Sequence, residues 1–292
     1  MADDSEPLER QAPAPSSFDP LLPPQMAERA EAVGVAKANG DILNTLALAI
    51  LAGAFIALGA ELFTVVTTAS SLGYGATRLL GGAGFSLGLF LVVVAGAELF
   101  TGNNLIVMAW ASGKVGTALL LRNWGLVYAG NFLGALGTVL LVYLSGQWRF
   151  NGDAVGANAL RIANAKVNLD FGEAVALGVL CNGLVCLAVW LCYSARSNTD
   201  KALAVLFPIS AFVASGFEHS VANMYFIPLG LALKDKESVL AASELTSGDL
   251  ANLTVGDFLV GNLLPVTLGN VIGGALLVGA VYWFVYLRAR PR

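Results

Sequence analysis

The 292-residue sequence contains one histidine, three cysteines and only 12% charged residues. Each scarcity removes a class of function. Soluble domains carry roughly 25% charged residues, so this chain is poorly suited to water on all sides. Cys181, Cys186 and Cys192 share one apolar run with no Cys-x-x-Cys pair, which leaves a zinc or dithiol redox site without its ligands. They read as small, buried, reduced residues. A single histidine and no carboxylate cluster supply no catalytic or metal-binding set, so no cofactor, metal or enzymatic activity is expected. The net charge of −4 offers no basic surface for nucleic acid. The acidic, Pro-rich opening, Met1 to Ser17, lacks the apolar core of a removable secretory signal.

Hydrophobic residues and glycine are what the chain has in plenty. It is 57% hydrophobic, with a mean hydropathy of +0.72 and 33 glycines. Several apolar runs approach the ~20 residues that a membrane-crossing helix needs, so the fold class is an all-α, polytopic membrane protein. Glycine pairs four residues apart, such as Gly130/Gly134 and Gly269/Gly273, let such helices approach closely.

The chain divides into a tail and amphipathic helix (1–40), a six-helix pore domain (41–288) and a short C-terminal tail (289–292). Residues 1–17 read as disordered. A helix follows over 18–39, with Met26, Ala30, Val33 and Ala36 on one side. Spans are expected at 42–66, from about 79 onward, and at 118–144, 171–193, 202–233 and 255–287. The second is interrupted at 96–104 and resumes over 105–111. Residues 147–170 and 234–252 read as polar loops. Ten of the sixteen Lys and Arg residues fall on the side of the termini, which makes that side cytoplasmic.

The two halves resemble one another. Asn123-x-x-x-Val127-x-x-Gly130-Asn131-x-x-Gly134 recurs as Asn262-x-x-x-Val266-x-x-Gly269-Asn270-x-x-Gly273. Each half also has a broken middle span carrying a glutamate, Glu98 or Glu218. Three spans per half turn the second copy over, giving an inverted repeat, and paired broken helices point to a transport site at the membrane midplane.

The second break, within 212–223, interrupts an apolar run with Gly216, Glu218, His219, Ser220 and Asn223. Lipid tolerates such groups only where protein or a water-filled cavity receives them. A broken helix exposes backbone N–H groups and a positive dipole end, both suited to an anion. Thr101, Gly102, Asn103 and Asn104 add small polar groups at the first break. His219 can donate to a carboxylate or give it a proton, and it titrates nearest physiological pH. Glu218, which would repel an anion, is better suited to orienting its neighbours. Phe85, Leu89, Leu99, Phe100, Val185 and Phe212 suit apolar constrictions that exclude hydrated ions. A neutral-solute facilitator is the rival reading, but paired Asn-Pro-Ala motifs are missing from the breaks.

These motifs resemble the formate/nitrite transporter family, nearest its bacterial formate channels. The likeness runs from Phe18 to Arg288 through Phe85-Ser-Leu-Gly-Leu89, Leu99-Phe-Thr101, Ser215-Gly-Phe-Glu-His-Ser220 and Pro265-Val-Thr-x-Gly-Asn270. It implies an aquaporin-like protomer, one pore per subunit, in a homopentamer of the bacterial inner membrane. By position, Leu99, Phe100 and Val185 match a cytoplasmic constriction, and Phe85, Leu89 and Phe212 a periplasmic one. Thr101 matches a gating threonine, His219 the central histidine, and Asn182 a chamber residue beside it. Lys37 and Lys166 match vestibule lysines that draw anions inward. The implied cargo is formate, alone or with a proton. The first break reads Glu98-Leu-Phe-Thr-Gly, which also resembles nitrite-type members, so nitrite, hydrosulfide or a short carboxylate stays open as the alternative.

Overall fold

The computed structural model describes residues 20–289, and within them all regular structure is helical. The tail over 1–17, residues 18 and 19 of the amphipathic helix and residues 290–292 lie outside the described residues. Helix α1 (Pro23–Ala38) leads into α2 (Ile42–Thr67) and α3 (Tyr74–Ala95). After a break come α4 (Phe100–Asn103), a 3-10 turn, α5 (Val107–Ala111) and then α6 (Thr117–Ser145). The second half follows with α7 (Ala154–Val167), α8 (Phe171–Ser194) and α9 (Asn198–Ala214). Beyond its break lie α10 (Ser220–Leu233), the short α11 (Glu237–Ser243) and α12 (Asp257–Tyr286).

Five of these helices, α2, α3, α6, α8 and α12, are long and apolar enough to cross a membrane. Their outward faces carry large apolar side chains, among them Leu133, Leu140 and Leu144 on α6 and Val260, Leu264 and Leu276 on α12. Exposed apolar surface on that scale is foreign to a water-soluble monomer and natural against lipid or a neighbouring subunit. Helices α9, of 17 residues, and α10, of 14, are each shorter.

Local chemistry explains the boundaries. The Asp41 carboxylate accepts the Asn44 N–H and caps α2, and the Ser197 hydroxyl accepts the Asp200 N–H at the start of α9. Both breaks open on a glycine in the left-handed region, Gly96 (φ 72°) and Gly216 (φ 77°), a conformation glycine adopts without steric cost. Within α12, Pro265 lacks the N–H of a regular helical turn, and the flanking stretches Asp257–Leu263 and Ile272–Ala280 widen into π-helix.

Three expectations need correction. Helix α3 begins at Tyr74 rather than near 79, because its first turn is exposed and carries no apolar signal. The stretch read as a polar loop at 147–170 contains α7, which buries Gly156, Leu160, Ala163 and Val167. Its opposite face carries Asn158, Arg161, Asn164 and Lys166, which give the stretch the polarity of a loop, and α11 likewise lies inside the second supposed loop. On α1 the buried stripe is Met26, Ala27, Ala30, Glu31, Gly34 and Ala38, whereas Ala36 is exposed and Val33 only half-buried. Gly34 lies against Ile106 and Ala109, so the burial of α1 is set by the broken segment beneath it.

The matched Gly-Asn-x-x-Gly stretches are where helices touch backbone to backbone. A Cβ at Gly134 would sit 1.9 Å from the Ile50 carbonyl on α2, and one at Gly273 would sit 2.2 Å from the Val179 carbonyl on α8. Pairs α2/α6 and α8/α12 thus form corresponding close contacts, one per half.

Candidate functional site

The two broken segments are held by the same set of bonds. Asn131, fully buried on α6, accepts the Phe100 N–H at 2.9 Å and donates to the carbonyls of Ala49 (2.7 Å) and Glu98 (2.9 Å). Asn270 on α12 accepts the Ser220 N–H at 2.9 Å and donates to Gly178 and Glu218 at 2.9 Å each. The Glu98 N–H donates to the Leu48 carbonyl, and the Glu218 N–H to that of Leu177. Each asparagine therefore satisfies backbone groups that a broken helix would leave bare, which membrane burial makes obligatory.

A second matched layer surrounds the glutamates. Lys37 Nζ lies 3.1 Å from Glu98, and Lys166 Nζ lies 2.7 Å from Glu218. Asn103 donates to Glu98 and to the Asn123 side chain, and Asn223 to Glu218 and the Asn262 side chain. Asn123 and Asn262 complete the circuits by donating to the carbonyls of Lys37 and Lys166. Helix α7 is thereby the second half's counterpart of α1. Each buried carboxylate is paired and hydrogen-bonded, the condition under which a charge is tolerated away from water.

The breaks meet at one contact. Thr101 Oγ1 and His219 Nε2 are 3.0 Å apart, both side chains buried. His219 Nδ1 accepts the Ala222 N–H at 3.1 Å and so caps α10. An accepting Nδ1 carries no hydrogen, which assigns the ring proton of the neutral imidazole to Nε2. His219 is then the donor to Thr101, and the Thr101 hydroxyl hydrogen is left free for another acceptor.

A cavity of about 370 Å³ on one side is bordered by Phe85, Phe212, Glu218, His219 and Lys166. A second, of about 240 Å³, is bordered by Leu89, Leu99, Glu98, Asn103 and Lys37. His219 borders the first, and Leu99 and Gly102, which flank the buried Thr101 in the chain, border the second. The Phe85 and Phe212 rings meet edge to face at 5.7 Å, and Phe212 stacks 6.0 Å from the His219 ring.

Of the expected site residues, Phe85, Phe212, Glu218, His219 and Lys166 border the first cavity and Leu89, Leu99 and Lys37 the second. Leu89 borders the cavity of Leu99, across from Phe85 and Phe212. The Phe100 ring packs on Tyr128 (4.9 Å) and Trp124 (6.1 Å) of α6 and borders neither cavity. Val185 is buried in the core cluster. Asn182 is a strut, donating to the carbonyls of Thr101 and Asn270 and to the Asn104 side chain. Asn223 is likewise bound within its circuit. The structure adds Asn131, Asn270, Asn123, Asn262 and Arg78 to the site. The four asparagines were visible as an internal repeat, which signals their importance without showing what they bind. Among the described residues, no group of three or more His, Cys, Asp or Glu could hold a metal ion.

Membrane-length helices with apolar exteriors, two broken segments anchored alike and a cavity bordered by each of them define a multi-pass membrane transport protein. The formate/nitrite transporter family matches residues 24–284. The chain is 48% identical over 278 residues to the formate channel FocA of Escherichia coli K12, covering 94% of this chain and 98% of that one. It is 40% identical over 262 residues to FocA of Haemophilus influenzae, covering 89% and 92%. A solved structure described as a pentameric formate channel with formate bound superposes with a TM-score of 0.79 at 45% identity, covering 85% of this chain and 98% of that one. This chain belongs to the formate/nitrite transporter family.

Proposed function

We propose that the chain is a formate channel, carrying small monovalent anions through a pore in each subunit. The observation that carries this reading is the Thr101–His219 contact, which joins the two breaks, each of them bordering its own lysine-bearing cavity. Its family membership and its likeness to proteins named formate channels support formate as the cargo. Counting α9 and α10 as one broken span gives six spans in two inverted repeats, an aquaporin-like protomer. The solved pentamer supports a homopentamer here. Bacterial inner membrane, cytoplasmic termini and a pore domain over 41–288 complete the assignment. The smaller cavity, bordered by Ala30, Val33 and Lys37 of α1, then faces the cytoplasm.

The anion enters a cavity, reaches the waist and displaces the Thr101–His219 bond. It accepts hydrogen bonds from His219 Nε2 and from the Thr101 hydroxyl, flanked by the apolar Phe85, Phe212, Leu89 and Leu99. A bare charge at the bilayer centre costs at least ~2.5–3.5 kcal/mol, so a proton that enters with the anion lowers the barrier. A second ring proton on His219 would need Nδ1 to release the Ala222 N–H, so the proton moves with the anion rather than resting on the ring.

Competitive flux in proteoliposomes tests this, with formate against nitrite at two pH values. Formate preference that rises as pH falls is expected. Nitrite preference would move the cargo to the other branch of the family, and no flux of either would overturn the reading.

A further inference from the structure

In the larger cavity, the one bordered by Phe85 and Phe212, the lysine charge is already opposed, because Lys166 pairs with Glu218 at 2.7 Å. Its other cations are Arg78 and Arg161. Arg78, at the start of α3, reaches across to α9, donating through Nε to the Ala214 carbonyl (3.3 Å) and through Nη2 to Val213 (2.5 Å). Among the described residues no carboxylate lies within salt-bridge distance of it. Its guanidinium also lies 5.1 Å over the Phe63 ring, which fixes its plane.

Those two carbonyls belong to the end of α9, where the first half of the broken helix stops at the cavity. A helix C-terminus presents about half a negative charge, an obstacle for an anion. Arg78 occupies the carbonyls and has further N–H donors beyond the two it uses. Gly216, whose Cβ position would be 3.6 Å from Nη2, keeps that edge of the guanidinium free of side chain.

We propose that Arg78 is a specificity-determining residue, turning the negative end of α9 into an entry subsite for a small carboxylate in the Phe212 cavity. The inference rests on the formate-channel reading and extends it to one residue and one side. Lysine cannot reproduce the role fully, because an ammonium lacks the planar fork that spans two carbonyls while donating to a third group.

The test measures formate flux through full-length pentamers in sealed vesicles of either orientation, comparing wild type, Arg78→Gln and Arg78→Lys. Arg78→Gln is expected to raise the half-saturating formate concentration about fivefold, the effect of one charge ~4 Å away in a water-like medium. The rise should appear only when formate is offered to the face on which the Phe212 cavity opens, with a shallower salt dependence there. Arg78→Lys should raise it about twofold on that side alone, and it decides the matter if the glutamine variant fails to assemble. Half-saturation unchanged from wild type on the Phe212 side, or raised by the same factor on both sides, in Arg78→Lys or in an assembled Arg78→Gln would overturn the proposal. A wild-type protein that carries no formate would instead sink the channel reading beneath it.

Discussion

Thr101 Oγ1 and His219 Nε2, 118 residues apart in the chain, lie 3.0 Å apart where the two breaks meet. Each sits in the first turn, or at the cap, of a half-helix that its own asparagine anchors. The contact therefore reports on the relative position of both halves.

Replacing Thr101 with valine keeps the shape but removes both the acceptor for His219 and the free hydroxyl. A buried donor left without its partner costs about 1–3 kcal/mol, and the anion loses a donor as well. Formate flux should fall about tenfold or more, whereas Thr101→Ser should retain most of it. Equal flux in wild type and Thr101→Val would remove the hydroxyl from the mechanism.

Asn131 and Asn270 should be structural equals. Each makes three buried hydrogen bonds to the backbone of a break and its neighbouring helix. Alanine at either position should lower the protein's stability by about 3 kcal/mol, at about 1 kcal/mol per bond. Thermal unfolding in detergent measures this, and a loss confined to one of the two sites would contradict the equivalence.

Removing Lys166 alone leaves Glu218 buried without its cation, a change that typically costs about 3–5 kcal/mol. Lys166→Met should therefore be much less stable than Lys166→Met combined with Glu218→Gln. A double-mutant cycle on melting temperature checks the coupling. The same experiment on Lys37 and Glu98 should give a smaller coupling, because that pair is longer, at 3.1 Å, and Lys37 is more exposed.

Gly134 and Gly273 leave no room for a methyl group, since the Cβ would strike a backbone carbonyl in each case. Alanine at either glycine should cost about 1–3 kcal/mol through forced separation of the helices. Gly137, which has nothing within 4 Å of its Cβ position, should tolerate alanine. A melting series on the three variants separates close packing from ordinary helix propensity.

Much of the architecture was legible without coordinates. Long apolar runs can only be membrane-length helices, because lipid leaves backbone groups no other partner, and that constraint is local to each run. The breaks were legible because Gly216, Glu218 and His219 are costly in such a run. The repeat was legible because close helix contact demands small residues at fixed spacing. Helix α7 was not, because Asn158, Arg161, Asn164 and Lys166 are interleaved with its buried Val155, Leu160 and Val167 and mimic a solvated loop.

The partners of the polar residues were decided only in three dimensions. Phe100 is apolar beside a break, which fits a pore wall as well as the aromatic cluster with Trp124 and Tyr128 that it joins. Lys166 reads as a free vestibule charge until Glu218 is found 2.7 Å away. Arg78 stands out from the other cations only once the end of α9 is brought to it. Hydrophobic burial depends on a residue's own chemistry and its near neighbours, so the chain by itself determines which segments enter the membrane. Hydrogen bonds and ion pairs act over about 3–4 Å between groups that can lie far apart in the chain. Only the tertiary structure therefore decides which charge is spent on the fold and which remains for the anion.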